Sequence, residues 1–176
     1  MVILRRVKVG ESDMTFLEKR YKHIFVDFDS TLYLWDNCPD RKSADDVSWT
    51  AMRLSKDTDC YDPNNINKLL VSYLRQSCAQ IHLVTWVNFS FEAELKYDFI
   101  NKYYPDLLID YIACSSNENK LLLLRAYERA GNPRDTMLLI DDRYNVVQAC
   151  RQEGFDVQEP QFIMGQIFKK PYRQNV

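Results

Sequence analysis

The sequence predicts an α/β protein in which helices cover both faces of a parallel β-sheet. Short apolar runs that suit buried strands recur along the chain, and stretches with apolar residues at helical spacing separate them. Strands that alternate with helices favour a parallel sheet joined by right-handed crossovers. With 176 residues, the chain is long enough for one domain, residues 1–176, with a full core.

Turn, capping and stop signals place the elements of this core. Five apolar runs are the predicted core strands: Lys22–Val26, Ile81–Trp86, Leu107–Ala113, Met137–Ile140 and Phe155–Val157. Four stretches are the predicted helices: Asn64–Gln80, Ser90–Tyr104, Asn117–Ala130 and Asn145–Glu153. Together they predict a Rossmann-like three-layer sandwich around a central parallel sheet.

Three segments lie outside this predicted core. The N-terminal extension, residues 1–21, is expected to hold a short strand over Met1–Val9 and a helix over Ser12–Arg20. Residues 32–63 are mostly polar and are expected to form a loop or a short flap after the first core strand. A polar, basic tail is expected over residues 165–176.

Composition argues against several classes of protein. No apolar run approaches the ~20 residues of a membrane-spanning helix, and the N-terminus lacks the apolar stretch of a signal peptide. The five cysteines are scattered without CxxC spacing, which favours reduced thiols and a cytoplasmic location. His23 and His82 each precede an apolar run, so edges of strands are favoured over zinc ligation. A net charge of −2 argues weakly against a general nucleic-acid binder.

The most informative motif is Asp27-Phe28-Asp29-Ser30-Thr31, directly after the first core strand. Ligands of α/β proteins bind at the carboxyl ends of the strands. Side chains two residues apart on an extended segment point the same way, so the Asp27 and Asp29 carboxylates repel each other. Such a pair needs a cation, a shared proton or a bound ligand.

Further polar residues follow the later strands. Thr85 ends the second core strand, Lys120 opens a helix after the third, and Asp141-Asp142 follows the fourth. In a parallel sheet these residues are expected to converge on the edge that carries the first motif. Carboxylates, a hydroxyl and a lysine suit the handling of phosphate and Mg²⁺, because Mg²⁺ prefers oxygen ligands and usually shares them with substrate phosphate.

In this order and at these strand ends, the motifs resemble those of the haloacid dehalogenase (HAD) superfamily of phosphotransferases. Its first motif, DxDx[TV], is matched by Asp27, Asp29 and Thr31. Its later motifs are matched in turn by Thr85, by Lys120 and by the pair Asp141 and Asp142. The resemblance covers roughly residues 22–160. Receiver domains of two-component systems use similar groups, but there the acidic pair precedes the phosphorylated Asp.

The resemblance implies a catalytic role for four residues. Asp27 is the expected nucleophile, which attacks phosphorus and forms an aspartyl-phosphate. Asp29 is expected to protonate the leaving oxygen and then to activate water, so it has to begin the reaction protonated. Thr85 is expected to donate a hydrogen bond to a phosphoryl oxygen. Lys120 is expected to neutralise charge on the phosphoryl group and on Asp27.

The resemblance also implies Mg²⁺ as the cofactor. The expected ligands are the carboxylate of Asp27, the backbone carbonyl of Asp29 and the acidic pair. Asp142 is the favoured direct ligand, and Asp141 is the favoured partner through water or through a neighbouring group.

The flap and the residues beside the motifs are expected to choose the substrate. The flap is too short for a packed cap domain, so the site is expected to be open to a bulky phosphorylated substrate, unless a second subunit of a homo-oligomer covers it. The candidate substrate-binding residues are Ser30, Thr31, Trp86, Asn88 and Arg143. Four basic flap residues could contact a phosphate backbone, although a solvated surface is the simpler interpretation: Arg41, Lys42, Arg53 and Lys56.

The leading hypothesis is a Mg²⁺-dependent phosphomonoester hydrolase. The stretch around Arg143 is also similar to the phosphatase half of polynucleotide kinase–phosphatases, so a nucleic-acid 3′-end phosphatase is one alternative. A phosphotransferase or mutase would use the same aspartyl-phosphate, whereas a dehalogenase would not need Asp29. A non-enzymatic binding protein would be expected to have lost at least one of the matched groups.

Overall fold

A five-stranded parallel sheet forms the centre of the protein. The computed structural model describes residues 21–34, 61–87, 90–107, 109–114, 116 and 118–169. The strands of the sheet are β1 (His23–Val26), β2 (Gln80–Trp86), β3 (Asp110–Cys114), β4 (Met137–Ile140) and β5 (Asp156–Gln158). Their order across the sheet is β3-β2-β1-β4-β5, and every neighbouring pair is parallel.

Five α-helices are present in the described part of the chain. They are α1 (Lys68–Gln76), α2 (Ser90–Tyr103), α3 (Glu118–Arg129), α4 (Tyr144–Gln152) and α5 (Pro160–Lys169). Short 3₁₀ turns cover Pro63–Asn65, Pro105–Leu107 and Arg134–Thr136. None of the described helices is both long and apolar enough to cross a membrane.

The sheet separates two apolar cores, because side chains of a strand point alternately to its two faces. Ile24 and Val26 of β1 join one core, to which α1, α2 and α5 contribute. Phe25 joins the other core, to which α3 and α4 contribute. Helices therefore cover both faces of the sheet, and the predicted three-layer α/β sandwich is confirmed.

Several element boundaries differ from the sequence-based prediction. The helix expected over Asn64–Gln80 is interrupted, because Asp62 caps the 3₁₀ turn and Asn67 caps α1 as a separate helix. Helix α5 was not predicted, and it includes residues 165–169, which were expected to belong to the polar tail. The strand Met1–Val9 and the helix Ser12–Arg20 lie outside the described residues.

The flap leaves and rejoins the domain at adjacent points. The Tyr33 hydroxyl accepts a hydrogen bond from the Asp62 backbone N–H at 2.9 Å, and the Leu34 N–H donates to the Asn65 carbonyl at 2.7 Å. Residues 35–60, with the four basic flap residues, lie outside the described residues. The contacts at its two ends therefore show that the flap begins and ends close to the turn after β1.

His82 lies within the sheet and not at a strand edge, which corrects the expectation for this residue. It pairs with Phe25 and is 1% exposed. Its Nε2 lies 3.0 Å from Nδ1 of His23, while its Nδ1 faces the Tyr127 hydroxyl at 3.5 Å and an Asp110 carboxylate oxygen at 3.7 Å. Burial and then His23 lower the pKa of His82 to about 4, and Asp110 opposes them.

This lowered pKa predicts a loss of stability in acid. The unfolded chain takes up the proton first, since its histidine has a pKa near 6.5. The contribution of neutral His82 is complete above pH 6.5 and is lost progressively as the pH falls toward about 4. Urea titrations across this range should show a smaller loss of stability for His82→Gln than for the wild type. An equal loss in the two proteins would contradict the assignment.

Candidate functional site

The predicted acidic residues meet where the strand order changes direction. Strands β2 and β3 lie on one side of β1, and β4 and β5 lie on the other. Asp27 follows β1 and Asp141 follows β4, and the Asp27 N–H donates to the Ile140 carbonyl at 2.9 Å. In open α/β sheets the crevice at this position is the usual place for a ligand. The fold therefore brings the first and fourth motifs together at the carboxyl ends of β1 and β4.

A tight turn after β1 sets the direction of the first motif. The Leu32 and Tyr33 N–H groups donate to the carbonyls of Asp27 and Phe28 at 3.3 and 2.8 Å. Ser30 has a φ of 59°, a left-handed conformation that a non-glycine residue adopts rarely and only where its surroundings hold it. The turn directs the buried Thr31 hydroxyl toward an Asp142 carboxylate oxygen, to which it donates at 3.4 Å.

Asn67 holds this turn against helix α1. Its side-chain oxygen caps the helix by accepting from the Leu70 N–H at 3.1 Å. Its side-chain nitrogen donates to the Thr31 carbonyl at 3.1 Å, and its backbone N–H donates to the Leu32 carbonyl at 2.8 Å. One buried amide therefore joins the helix start to the motif.

We expect Asn67→Ala to lower the free energy of unfolding by about 2 kcal/mol, the sum of a lost N-cap and a lost buried hydrogen bond. Urea denaturation measures this loss. Asn64→Ala, at an exposed position in the same segment, is the matched control and should cost less than about 0.5 kcal/mol. Equal losses in the two variants would show that Asn67 does not hold the turn.

Lys120 is enclosed by two carboxylates. Its Nζ lies 2.8 Å from Oδ1 of Asp27 and 2.6 Å from Oδ2 of Asp141, and all three side chains are buried. Burial alone lowers the pKa of Lys120, but the two carboxylates outweigh it and hold the pKa above its usual range. The lysine is therefore a fixed positive charge beside the expected nucleophile.

Negative charge still exceeds positive charge around Asp27. This residue is 4% exposed, and burial is the largest cause that raises its pKa, to about 7. Lys120 opposes the shift, whereas Asp141 and Asp29 add to it. Burial and Asp141 also raise the pKa of Asp142. A bound cation would relieve this repulsion.

Three carboxylates are placed to share a metal ion. One oxygen from each of Asp27, Asp141 and Asp142 lies within 4.8 Å of the others. An all-oxygen set of this kind fits Mg²⁺, which takes one or two carboxylates together with water and substrate phosphate. Asp141 already accepts from Lys120 through Oδ2 and from the Arg143 N–H through Oδ1 at 2.9 Å. Asp142 is therefore the better candidate for a direct ligand.

Asp29 binds a lysine that was not expected in the site. The Lys96 ammonium, on α2, lies 2.6 Å from Oδ2 of Asp29 and donates to the Thr85 hydroxyl oxygen at 2.9 Å. It thus joins the second carboxylate of the first motif to the predicted hydroxyl of the second motif. The Asp29 carboxylate is not part of the three-carboxylate group, and the expected metal contact was its backbone carbonyl.

Two of the expected substrate-binding residues meet beside the acidic pair. The Arg143 guanidinium lies over the Trp86 ring, 5.3 Å from its centroid. Tyr144, the next residue, is 74% exposed. Thr31 contacts Asp142 and Ser30 shapes the turn, whereas Asn88 lies outside the described residues. Tyr144 was not singled out from the sequence, because an exposed tyrosine at a helix start carries no pattern.

No protein-family model matches the chain, and no curated protein matches it. The HAD assignment therefore stays a prediction. It depends on the residues around Asp27 and on their arrangement at the edge of the sheet.

Proposed function

We propose that this protein is a Mg²⁺-dependent phosphomonoester hydrolase that acts through an aspartyl-phosphate on Asp27. The observation that carries the proposal is the placement of Asp27: a buried carboxylate directly after β1, 2.8 Å from a buried lysine and grouped with Asp141 and Asp142. A structural role for this cluster is a poor explanation, because buried charges of this kind are expensive to desolvate and are concentrated at functional sites.

The residues divide the first chemical step among them. A carboxylate oxygen of Asp27 attacks phosphorus, and the bond from phosphorus to the leaving oxygen breaks. Asp29, 25% exposed in its side chain, gives its proton to that oxygen, so that an alcohol departs. Lys120 neutralises charge on Asp27 and on the phosphoryl group, and the Thr85 hydroxyl donates to a phosphoryl oxygen.

The second step releases phosphate, frees the Asp27 carboxylate and returns the proton to Asp29. Asp29, now ionised, takes a proton from water, and the water oxygen attacks phosphorus. The bond from phosphorus to Asp27 then breaks. Asp27, Asp141 and Asp142 would hold Mg²⁺, which when bound supplies positive charge that stabilises the phosphoryl oxygens.

A nucleic-acid 3′-end phosphatase is the second candidate. The contact of Arg143 with Trp86 and the exposure of Tyr144 favour it, because guanidinium groups bind phosphate and exposed aromatic rings stack on bases. A phosphotransferase or mutase would share the chemistry of Asp27 and differ only in the acceptor. A cytoplasmic location and a possible homo-oligomer remain predictions from the sequence.

A panel of phosphomonoesters tests the proposal. Purified protein is assayed with Mg²⁺ on aryl phosphates, phosphorylated metabolites and oligonucleotides with a 3′- or 5′-phosphate. We expect phosphate release that EDTA abolishes and added Mg²⁺ restores. Selective release from oligonucleotide 3′-ends would favour the second candidate. Adding alcohols as competing acceptors distinguishes hydrolysis from transfer of the phosphoryl group. If no phosphomonoester on the panel is turned over, the proposed function is refuted.

A further inference from the structure

Lys96 is a second buried lysine in the site, on the opposite side of the first motif from Lys120. Its side chain is fully buried, although lysine is almost never fully buried without partners. Four oxygen atoms lie within 3.3 Å of its ammonium: Oδ2 of Asp29, Oγ1 of Thr85, Oε1 of Glu92 and the carbonyl oxygen of Trp86. The ammonium donates its three hydrogens to Asp29, Thr85 and the Trp86 carbonyl, and Glu92 adds a countercharge without accepting a hydrogen bond from it.

The partners of Lys96 come from three elements. Glu92 lies one turn earlier on α2, at a Nζ–Oε1 distance of 3.1 Å. Thr85 and Trp86 are the last residues of β2, and Asp29 lies in the turn after β1. The lysine therefore connects the helix to the ends of two adjacent strands. Glu92 gives it a countercharge within its own helix, so the ammonium stays paired when Asp29 engages a substrate.

These contacts restrict which atom of Asp29 can exchange a proton and where Thr85 can donate its hydrogen bond. Because Lys96 holds Oδ2 of Asp29, an exchange of a proton with the substrate is directed to Oδ1. Because the ammonium can only donate, Thr85 accepts from it and has to donate its single hydrogen elsewhere. At present that hydrogen goes to the Trp86 carbonyl at 3.3 Å, a long contact that a phosphoryl oxygen could replace.

We propose that Lys96 is a positioning residue that orients Asp29 for proton transfer to the leaving group and sets Thr85 as a donor to the phosphoryl group. This inference rests on the proposed function. Lys120 acts on the nucleophile and the phosphoryl charge, while Lys96 acts through Asp29 and Thr85. The loss of activity is therefore expected to depend on the substrate differently when Lys96 is replaced than when Lys120 is replaced.

The test compares leaving groups that differ in their need for a proton. Dinitrophenol departs readily as an anion, whereas phenol needs protonation. In Lys96→Met we expect kcat/KM to fall by about 100-fold for phenyl phosphate and by less than about 10-fold for dinitrophenyl phosphate. Lys102→Met, at an exposed position on the same helix, is the matched control and should leave both values unchanged.

Two further variants make the result decisive. Lys96→Arg keeps the charge but cannot place a compact ammonium among the same oxygens, so it should show the same substrate-dependent loss even if the methionine variant does not fold. In a background of Asp29→Asn, replacing Lys96 should cost less than about 10-fold on phenyl phosphate, because the proton donor is already gone and only the effect through Thr85 remains.

The outcomes separate this inference from the proposed function. If wild-type protein hydrolyses both esters and the Lys96 variants lose activity equally on them, the positioning role is wrong while the proposed function stands. If wild-type protein hydrolyses neither ester nor any other phosphomonoester, the proposed function itself has failed.

Discussion

Replacing Asp27 by Asn is expected to lower kcat for phosphomonoester hydrolysis by at least about 10⁴-fold, toward the loss seen when a covalent nucleophile is removed from an enzyme. The amide is nearly isosteric and can still accept a hydrogen bond from Lys120, but it cannot form the aspartyl-phosphate. Asp135→Asn, at an exposed position before β4, is the matched control and should keep wild-type activity.

The same substitution is expected not to destabilise the protein in the absence of Mg²⁺. Burial raises the pKa of Asp27 from 3.8 to about 7, so the unfolded chain loses this proton first as the pH rises. Ionised Asp27 therefore costs stability progressively between pH 3.8 and about pH 7, and the cost is full above that range. Asp27→Asn should equal or exceed the wild type in urea midpoint at mildly alkaline pH. An active variant, or an inactive variant that is unfolded, would contradict this account.

Replacing Lys120 by Met is expected to have the largest effect on stability. It removes a cation that lies within 3 Å of two buried carboxylates, Asp27 and Asp141. Breaking a buried pair in this way costs about 3–5 kcal/mol, because an uncompensated charge is left behind. The loss in unfolding free energy should be greatest at mildly alkaline pH and smaller in acid, where the carboxylates take up protons.

Urea denaturation at the two pH values measures the Lys120→Met effect. Arg129→Met, at an exposed position on the same helix, is the matched control and should change stability by less than about 0.5 kcal/mol. Added Mg²⁺ should restore part of the stability of Lys120→Met, because Asp27 and Asp141, which lose their countercharge in this variant, would bind the cation. A small loss that does not depend on pH would show that Lys120 is not the main countercharge.

The central strands could be predicted because each is a short, continuously apolar run, and the residue after such a run lies at the edge of the sheet. Asp27, Thr85, Asp141 and Asp142 could therefore be predicted to lie at the same edge of the sheet. Lys120 could be placed because a lysine at a helix start opposes the helix dipole, which suggests a functional reason for its position.

The Lys96 cluster could not be predicted, because it depends on how α2 packs against the strand ends. The sequence did carry a signal: Glu92 and Lys96 are four residues apart on the helix face that also holds Phe99, which is buried. A charged pair within an apolar stripe indicates buried charges that need partners. Sequence spacing alone could not identify Asp29 and Thr85 as those partners.

Local capping explains the other differences. Asn67 starts α1 because its side chain caps the helix and at the same time binds the turn after β1, which spacing of apolar residues cannot reveal. Helix α5 was missed although half of its residues are apolar and Pro160 at its first position is a recognised start signal. His82 was misplaced because its partners, His23 and Tyr127, are distant in sequence.

Trapping the covalent intermediate tests the central claim most directly. Protein that is turning over a phosphate ester with Mg²⁺ is quenched in acid, reduced with borohydride and digested, since reduction converts an aspartyl-phosphate into homoserine. We expect homoserine at position 27, and none after treatment with EDTA or in Asp27→Asn. Hydrolysis that proceeds without this product, or with homoserine at another aspartate, would contradict the claim that Asp27 is the nucleophile.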